Sequence, residues 1–99
     1  MELTNEILIK LGFKSDNPNN VLTTFYLNNT SKPEWRISIT KVYKPYSNKL
    51  MFNVDCWLCN ENGAIIKRSS LSDVTNINEL QQIIDLCKIE YKLKRENLY

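Results

Sequence analysis

One stretch, Leu50–Leu71, limits the folds open to this chain more than any other. It holds two apolar-rich runs on either side of the tetrapeptide Asn60–Gly63. Asn62 and Gly63 favour the positive φ angles of a tight turn, so the stretch predicts a β-hairpin. Because strand side chains alternate between faces, even positions of the first run should line a core and odd positions should point outward. The even set is Leu50, Phe52, Val54, Cys56 and Leu58.

Two further segments read as strands and precede this hairpin. Val21–Leu27 is rich in β-branched and aromatic residues, and Trp35–Tyr43 alternates between apolar and polar positions. Lys41 is the exception on the apolar side of the second segment. Turn residues separate the predicted strands at Lys14–Asn20, Asn28–Pro33 and Lys44–Lys49.

Helices are predicted at both ends of the chain. Thr4 is a suitable N-cap for a short helix within Met1–Phe13, and Gly12 occupies its C′ position. After a polar connection over Ser69–Asn76, an apolar stripe at 3-4 spacing predicts a long helix over Ile77–Arg95.

This order of elements, α-β-β-β-β-α, predicts one α+β domain over residues 1–99. Four strands with short connections favour an antiparallel meander, because parallel pairs need long crossovers. Each helix has one apolar stripe, so both should cover the same face of the sheet. The opposite face would be exposed to solvent or used for binding.

The composition argues against several kinds of chemistry. The chain contains no histidine, which removes Ser-His-Asp and Cys-His catalysis as well as histidine-ligated metals. Both glycines have turn positions, so no glycine-rich phosphate loop is present. We therefore expect no enzymatic activity, no cofactor and no metal site.

The three cysteines give no disulfide framework. Cys56 and Cys59 form a C-x-x-C pattern, but on a strand they point to opposite faces, one into the core and one outward. An odd cysteine count, no secretory leader and no long apolar run predict a reduced, cytoplasmic protein without membrane association.

The outward face of the predicted hairpin carries the best candidate for a protein-binding surface. Its residues are Trp57, Asp55 and Asn53, with Arg36 expected beside them on the neighbouring strand. Tryptophan and arginine are enriched among interface hot spots. Two interpretations of Trp57 remain open. It is either part of an exposed binding surface or covered by a loop or a partner subunit. A homodimer through this face or through an unpaired strand edge is equally open.

A loop of interleaved basic and aromatic residues supports an alternative function. Its candidates are Lys41, Tyr43, Lys44, Tyr46 and Lys49, a combination suited to single-stranded nucleic acid. The basic end of the last predicted helix would extend that surface. The other interpretation is a hairpin turn whose lysines protect strand ends, and the net charge of +2 favours it.

Two short motifs carry a resemblance to other proteins. Leu8–Phe13 (Leu-Ile-Lys-Leu-Gly-Phe) and Asn78–Gln81 (Asn-Glu-Leu-Gln) resemble the ends of a loose group of small uncharacterised proteins. These come from Bacteroidetes-type bacteria, their phages and mobile elements. The resemblance implies an accessory role in a phage or mobile element. Together with the absence of catalytic chemistry, the small size and the outward Trp57, it leads us to expect a factor that binds a host or defence-system protein.

Overall fold

A computed structural model describes residues 2–15, 17, 23–44 and 49–99 of the chain. Its elements are α1 (Asn5–Lys10), β1 (Thr24–Asn29), β2 (Trp35–Lys44), β3 (Lys49–Cys59), β4 (Ile65–Val74) and α2 (Ile77–Leu86), followed by a terminal 3₁₀ turn (Arg95–Leu98). The strands lie in the order β1-β2-β3-β4, and every neighbouring pair is antiparallel. The predicted α+β fold with an antiparallel meander is confirmed.

The hydrophobic core lies on one side of the sheet. Ile37 and Ile39 on β2 are fully buried and pair with Cys56 and Val54 on β3, as the alternation predicts. The helices complete the same cluster with the buried side chains of Leu8, Leu11, Leu80, Ile83 and Ile84. Both helices therefore cover one sheet face, and the sheet's other face has no layer over it among the described residues.

The first helix is shorter than predicted, but its two end signals are confirmed. Thr4 Oγ1 accepts a hydrogen bond from Ile7 N at 3.2 Å and caps the helix start. Gly12 has φ +98°, and Phe13 N donates to Leu8 O at 3.0 Å. These bonds form a Schellman motif, whose left-handed C′ position favours glycine.

The second helix ends nine residues before the predicted Arg95, so that prediction is wrong. Lys88 has φ 62°, and Ile89 N donates to Ile84 O at 3.3 Å, which is again a Schellman motif. The reason for the early end is a change of period. From Cys87 onward, buried or half-buried residues alternate with exposed ones, and the buried or half-buried set is Cys87, Ile89, Tyr91 and Leu93. Period two is typical of extended chain rather than helix.

In the extended segment after α2, residues 89–94, one side chain supplies two of the backbone hydrogen bonds. Gln81 Nε2 donates to Tyr91 O at 2.9 Å, and Leu93 N donates to Gln81 Oε1 at 2.9 Å. The amide thus satisfies a backbone donor and a backbone acceptor, as a neighbouring strand would. We call this pair of bonds the Gln81 clamp.

The predicted polar connection over Ser69–Asn76 is also wrong, since β4 continues to Val74. β4 is an edge strand, and Val74 is its one buried residue. Its other positions are exposed or half-buried, so they tolerate polar residues. Its pairing with β3 shifts register near each end, between the partners of Phe52 and Val54 and again beside Leu58. Such bulges twist an edge strand and discourage pairing with another chain.

The Asn-Gly turn forms the predicted hairpin with a different geometry. Asn60 N donates to Ala64 O at 2.8 Å, which leaves a three-residue loop. Within this turn only Gly63 has a positive φ, at 84°, and Asn62 does not. The prediction of a positive φ at Asn62 is therefore wrong. Asn60 Oδ1 accepts from the backbone N–H groups of Asn62 and Ala64, which stabilises the loop without a second left-handed residue.

The first strand differs from its prediction at both ends. Val21 lies outside the described residues, and β1 begins at Thr24. At the other end β1 takes in Asn28 and Asn29, which the sequence assigned to a loop. Beyond β1, Lys14 exchanges two backbone hydrogen bonds of 2.9 Å with Tyr26, so part of this edge is already paired.

Candidate functional site

Four side chains form a row across the uncovered face of the sheet, one from each strand. They are Tyr26 of β1, Arg36 of β2, Trp57 of β3 and Arg68 of β4, and we call them the arginine–aromatic row. With neighbouring strands spaced by roughly 4.8 Å, the row extends on the order of 14 Å across the sheet. Rings and guanidinium groups alternate along it.

The contacts within the row are cation–π contacts. The guanidinium carbon of Arg36 lies 5.9 Å from the Tyr26 ring centroid and 5.6 Å from that of Trp57. The guanidinium carbon of Arg68 lies 5.7 Å from the Trp57 centroid. Arg36 and Arg68 reach Trp57 from the strands on its two sides, so both faces of the indole are covered by a cation.

Asp55 anchors one end of the row. Its carboxylate accepts Arg68 Nη2 at 2.8 Å and Nε at 3.1 Å, Ser70 Oγ at 2.7 Å and Trp57 Nε1 at 3.2 Å. These bonds, with that from Arg68 contributing most, hold the pKa of Asp55 below its ordinary value of 3.8 against the opposing effect of burial. Asp55 is therefore a carboxylate with both oxygens occupied, and it neutralises Arg68.

Strand register explains why these residues meet. Arg36 pairs with Trp57 across β2 and β3, and Trp57 pairs with Arg68 across β3 and β4. Direct partners point to the same face, so Trp57 has a cation on each side. Of the predicted partner-binding residues, the structure brings together Trp57, Asp55 and Arg36.

Three members of the site were missed from the sequence, namely Tyr26, Arg68 and Ser70. Ser70 was missed because Ser69–Asn76 was read as a connection. The hairpin itself held the signal for Arg68, because a strand continued past Gly63 places position 68 opposite Trp57. Tyr26 carried no such signal, since neither face of its strand could be assigned from the sequence.

Asn53, the fourth predicted partner-binding residue, contacts the backbone of β4. Its Oδ1 accepts a hydrogen bond from Asp73 N at 3.3 Å. Asp73 has φ 60° within the bulge of β4, a conformation that asparagine and aspartate adopt more readily than most residues. Asn53 thus supports the bulge and stands outside the row.

A hollow of about 210 Å³ opens beside the row. Its lining includes Arg36 and Trp57, together with Asn28, Glu34 and the half-buried Cys59. The outward Cys59 thus lies at the site, whereas Cys56 lies in the core, as their positions on the strand predict.

Two of the predicted nucleic-acid residues, Lys41 and Tyr43, lie away from this face. Lys41 belongs to the helix-covered side, where its Nζ donates to Asn5 Oδ1 at 3.1 Å. Tyr43 lies on the same side of β2 and is partly exposed. Lys44 and Lys49 are backbone partners where β2 ends and β3 begins. Tyr46 lies outside the described residues.

The basic residues that follow α2 lie elsewhere. Lys88 shares a hollow with Pro33 and Trp35, at the start of β2, whereas Lys44 marks its end. Lys44 is nine steps along the strand from Trp35, which is roughly 30 Å. Lys92 also pairs with Asp85 at 3.3 Å. Lys88 and Lys44 therefore lie at opposite ends of β2.

A larger hollow, of about 480 Å³, lies along residues 85–92 on the helix side. Its lining holds Lys88 and Glu90 beside the paired Asp85 and Lys92, and it contains no arginine. Within the described part of the chain, no cluster of three or more potential metal ligands occurs. No helix among these residues has the length and apolar character needed to cross a bilayer.

No family model, curated protein or solved structure matches this chain.

Proposed function

We propose that this protein binds another protein through the uncovered sheet face, with Trp57 and Arg36 as the central contacts. The observation that supports this function is the arginine–aromatic row, which lies on a face that no element of the described chain covers. Tryptophan and arginine dominate the binding energy of many interfaces. Asp55 and Arg68 fix the indole before a partner arrives, which reduces the entropy lost on binding.

The same geometry supports a non-catalytic protein. Asp55 is the one carboxylate within the row, and its lowered pKa with four hydrogen bonds leaves it a poor proton acceptor. The half-buried Cys59 has no histidine available anywhere in the chain to act as a base.

We further propose that the partner is a host or defence-system protein and that this chain is a phage or mobile-element accessory factor. The resemblance at Leu8–Phe13 and Asn78–Gln81 suggests this context. The nucleic-acid alternative has weaker support, because Lys88 lies beside the start of β2, about 30 Å from Lys44 at its end.

The test is affinity capture from a lysate of the cell that carries the gene, with and without nuclease. Wild type is compared with Trp57→Ala, Arg36→Ala and the control Arg95→Ala, which removes an exposed arginine outside the row. We expect one stoichiometric protein that survives nuclease and remains bound to the control. Loss of at least tenfold in affinity is expected for both row variants, since hot-spot truncations reach about 2 kcal/mol or more.

Cys59 provides a second readout on the unmodified chain. Because this thiol lines the hollow beside Trp57, a bound partner should slow its reaction with iodoacetamide. A partner that binds all variants equally, without protecting Cys59, would place the interface elsewhere. Partners lost on nuclease treatment would favour the nucleic-acid function, and a concentration-dependent mass of the pure protein would identify a homodimer.

A further inference from the structure

We infer that the row binds an acidic segment of its partner, with a carboxylate seated on Arg36. This inference rests on the proposed function and names the chemistry of the partner. Three properties of the row support it: the unequal neutralisation of its two arginines, the orientation of its aromatic rings, and the small number of cations available.

The two arginines of the row differ in their charge environment. Arg68 is neutralised by Asp55 through two hydrogen bonds. Arg36 is exposed and has no carboxylate within 4 Å among the described residues, and its recorded contacts are with two rings. Contact with rings holds the guanidinium in place without satisfying its N–H groups, which leaves it suited to bidentate binding of a carboxylate.

The rings strengthen this preference for an anion. Both faces of Trp57 meet guanidinium groups, so the indole presents its edge to solvent. An aromatic edge carries partial positive charge, while the negative face is already in use. The exposed top of the row therefore combines the positive edge of the indole with the guanidinium of Arg36, whose donors meet water rather than a carboxylate.

The covered faces of Trp57 and the small number of cations also disfavour single-stranded nucleic acid as the ligand of this face. Bases bind such proteins by stacking on aromatic faces, and Trp57 has no free face. Affinity for a phosphate backbone needs several basic contacts, whereas the row has one arginine without a carboxylate.

The experiment is an NMR titration of the full chain with three probes. They are an N-acetylated hexaglutamate amide, the matched hexaglutamine peptide, and an oligonucleotide of eight thymidines. We expect saturable shifts of the Arg36 Nε–H and Trp57 Nε1–H signals with hexaglutamate alone. Arg36→Gln should weaken that binding at least tenfold, and the control Arg95→Gln should leave it within twofold.

A second variant predicts a gain rather than a loss. Asp55→Asn removes the charge that neutralises Arg68, so hexaglutamate should bind several-fold more tightly. This result would separate anion recognition from simple damage to the fold, because damage does not raise affinity.

Each remaining outcome overturns the inference. Equal shifts with hexaglutamine would mean that charge is not recognised, and tighter binding of the oligonucleotide would assign the face to nucleic acid. No saturable binding of hexaglutamate would exclude an acidic segment. If the Trp57-dependent partner were nevertheless captured, the protein-binding function would stand without it.

Discussion

At the scale of single residues, Asp55 determines how the uncovered face is arranged. Its two oxygens accept bonds from Trp57, Arg68 and Ser70, so one carboxylate orients an indole and a guanidinium together. A shift of register by one residue would move Asp55 to the core face, where its charge has no partner. The site and the pairing of β3 with β4 therefore depend on each other.

Asp55→Asn should lower the free energy of unfolding by about 1 kcal/mol at neutral pH, since an exposed ion pair between an arginine and a carboxylate contributes modestly. The pKa of Asp55 is depressed in the folded chain, so its contribution is present above the ordinary value of 3.8 and is lost as the pH falls through the folded value. We expect the difference between wild type and variant to shrink steadily below about pH 4. Urea unfolding at several pH values measures it.

Ser70→Ala is the comparison for this prediction. It removes one hydrogen bond to the same carboxylate without changing the charge. Its effect on the free energy of unfolding at neutral pH should therefore be smaller than that of Asp55→Asn. A constant difference between Asp55→Asn and wild type from pH 7 down to about pH 2.5 would contradict the assigned role of the carboxylate.

At the scale of elements, the extended segment 89–94 depends on the Gln81 clamp for part of its backbone bonding. Without the amide, Leu93 N and Tyr91 O would lose their described partners. Gln81→Ala should therefore lower the free energy of unfolding by about 1–2 kcal/mol, from two neutral hydrogen bonds. Hydrogen exchange at the Leu93 amide should accelerate more than exchange within α2.

The neighbouring glutamine supplies a matched control. Gln82 is exposed, so Gln82→Ala removes the same side chain from the same helix without touching the clamp. Equal effects of the two substitutions, or unchanged exchange at Leu93, would show that core packing alone holds the segment.

The C-terminal elements also show where sequence reasoning succeeds and where it fails. The start of α2 was predictable because Asn76 caps it locally, accepting a bond from Glu79 N at 2.9 Å. Its end was not, because Ile77, Leu80, Ile84, Cys87 and Tyr91 fit a helical stripe as well as the buried face of a helix followed by an extended strand. The clamp that decides between them joins residues 81 and 93, which no local pattern reports.

At the scale of the whole molecule, burial divides the three cysteines. Burial raises the pKa of Cys56 to about 12 and also raises the pKa of Cys87. Cys59 is half-buried on the open face. In the native protein at about pH 8, iodoacetamide should modify one cysteine, Cys59, because thiolates are the reactive form.

The same reaction in urea should modify all three cysteines, as intact mass spectrometry would record. Cys59→Ser should reduce the native count from one to zero, which identifies the reactive position. Modification of Cys56 at the rate of Cys59 under native conditions would contradict the described core.

The predictability of the site follows from the same division between local and distant contacts. Trp57, Asp55 and Arg36 were predictable because alternation on a strand fixes which face each residue occupies. Arg68 and Tyr26 depend on pairing across strands, which turn geometry and bulges determine. The sequence therefore predicted the face and half of its occupants.

The position of α1 has a consequence for synthesis of this protein on the ribosome. Leu3 N donates to Thr75 O at 2.8 Å, and Asn97 Nδ2 donates to Lys10 O across 87 residues of chain. A six-residue helix is not stable alone, so α1 lacks part of its docking surface until residues up to Asn97 have been synthesised. At roughly 5–20 residues per second, that interval is on the order of 4–17 s. During that interval, Leu8, Leu11 and Phe13 lack part of the core that buries them in the folded chain.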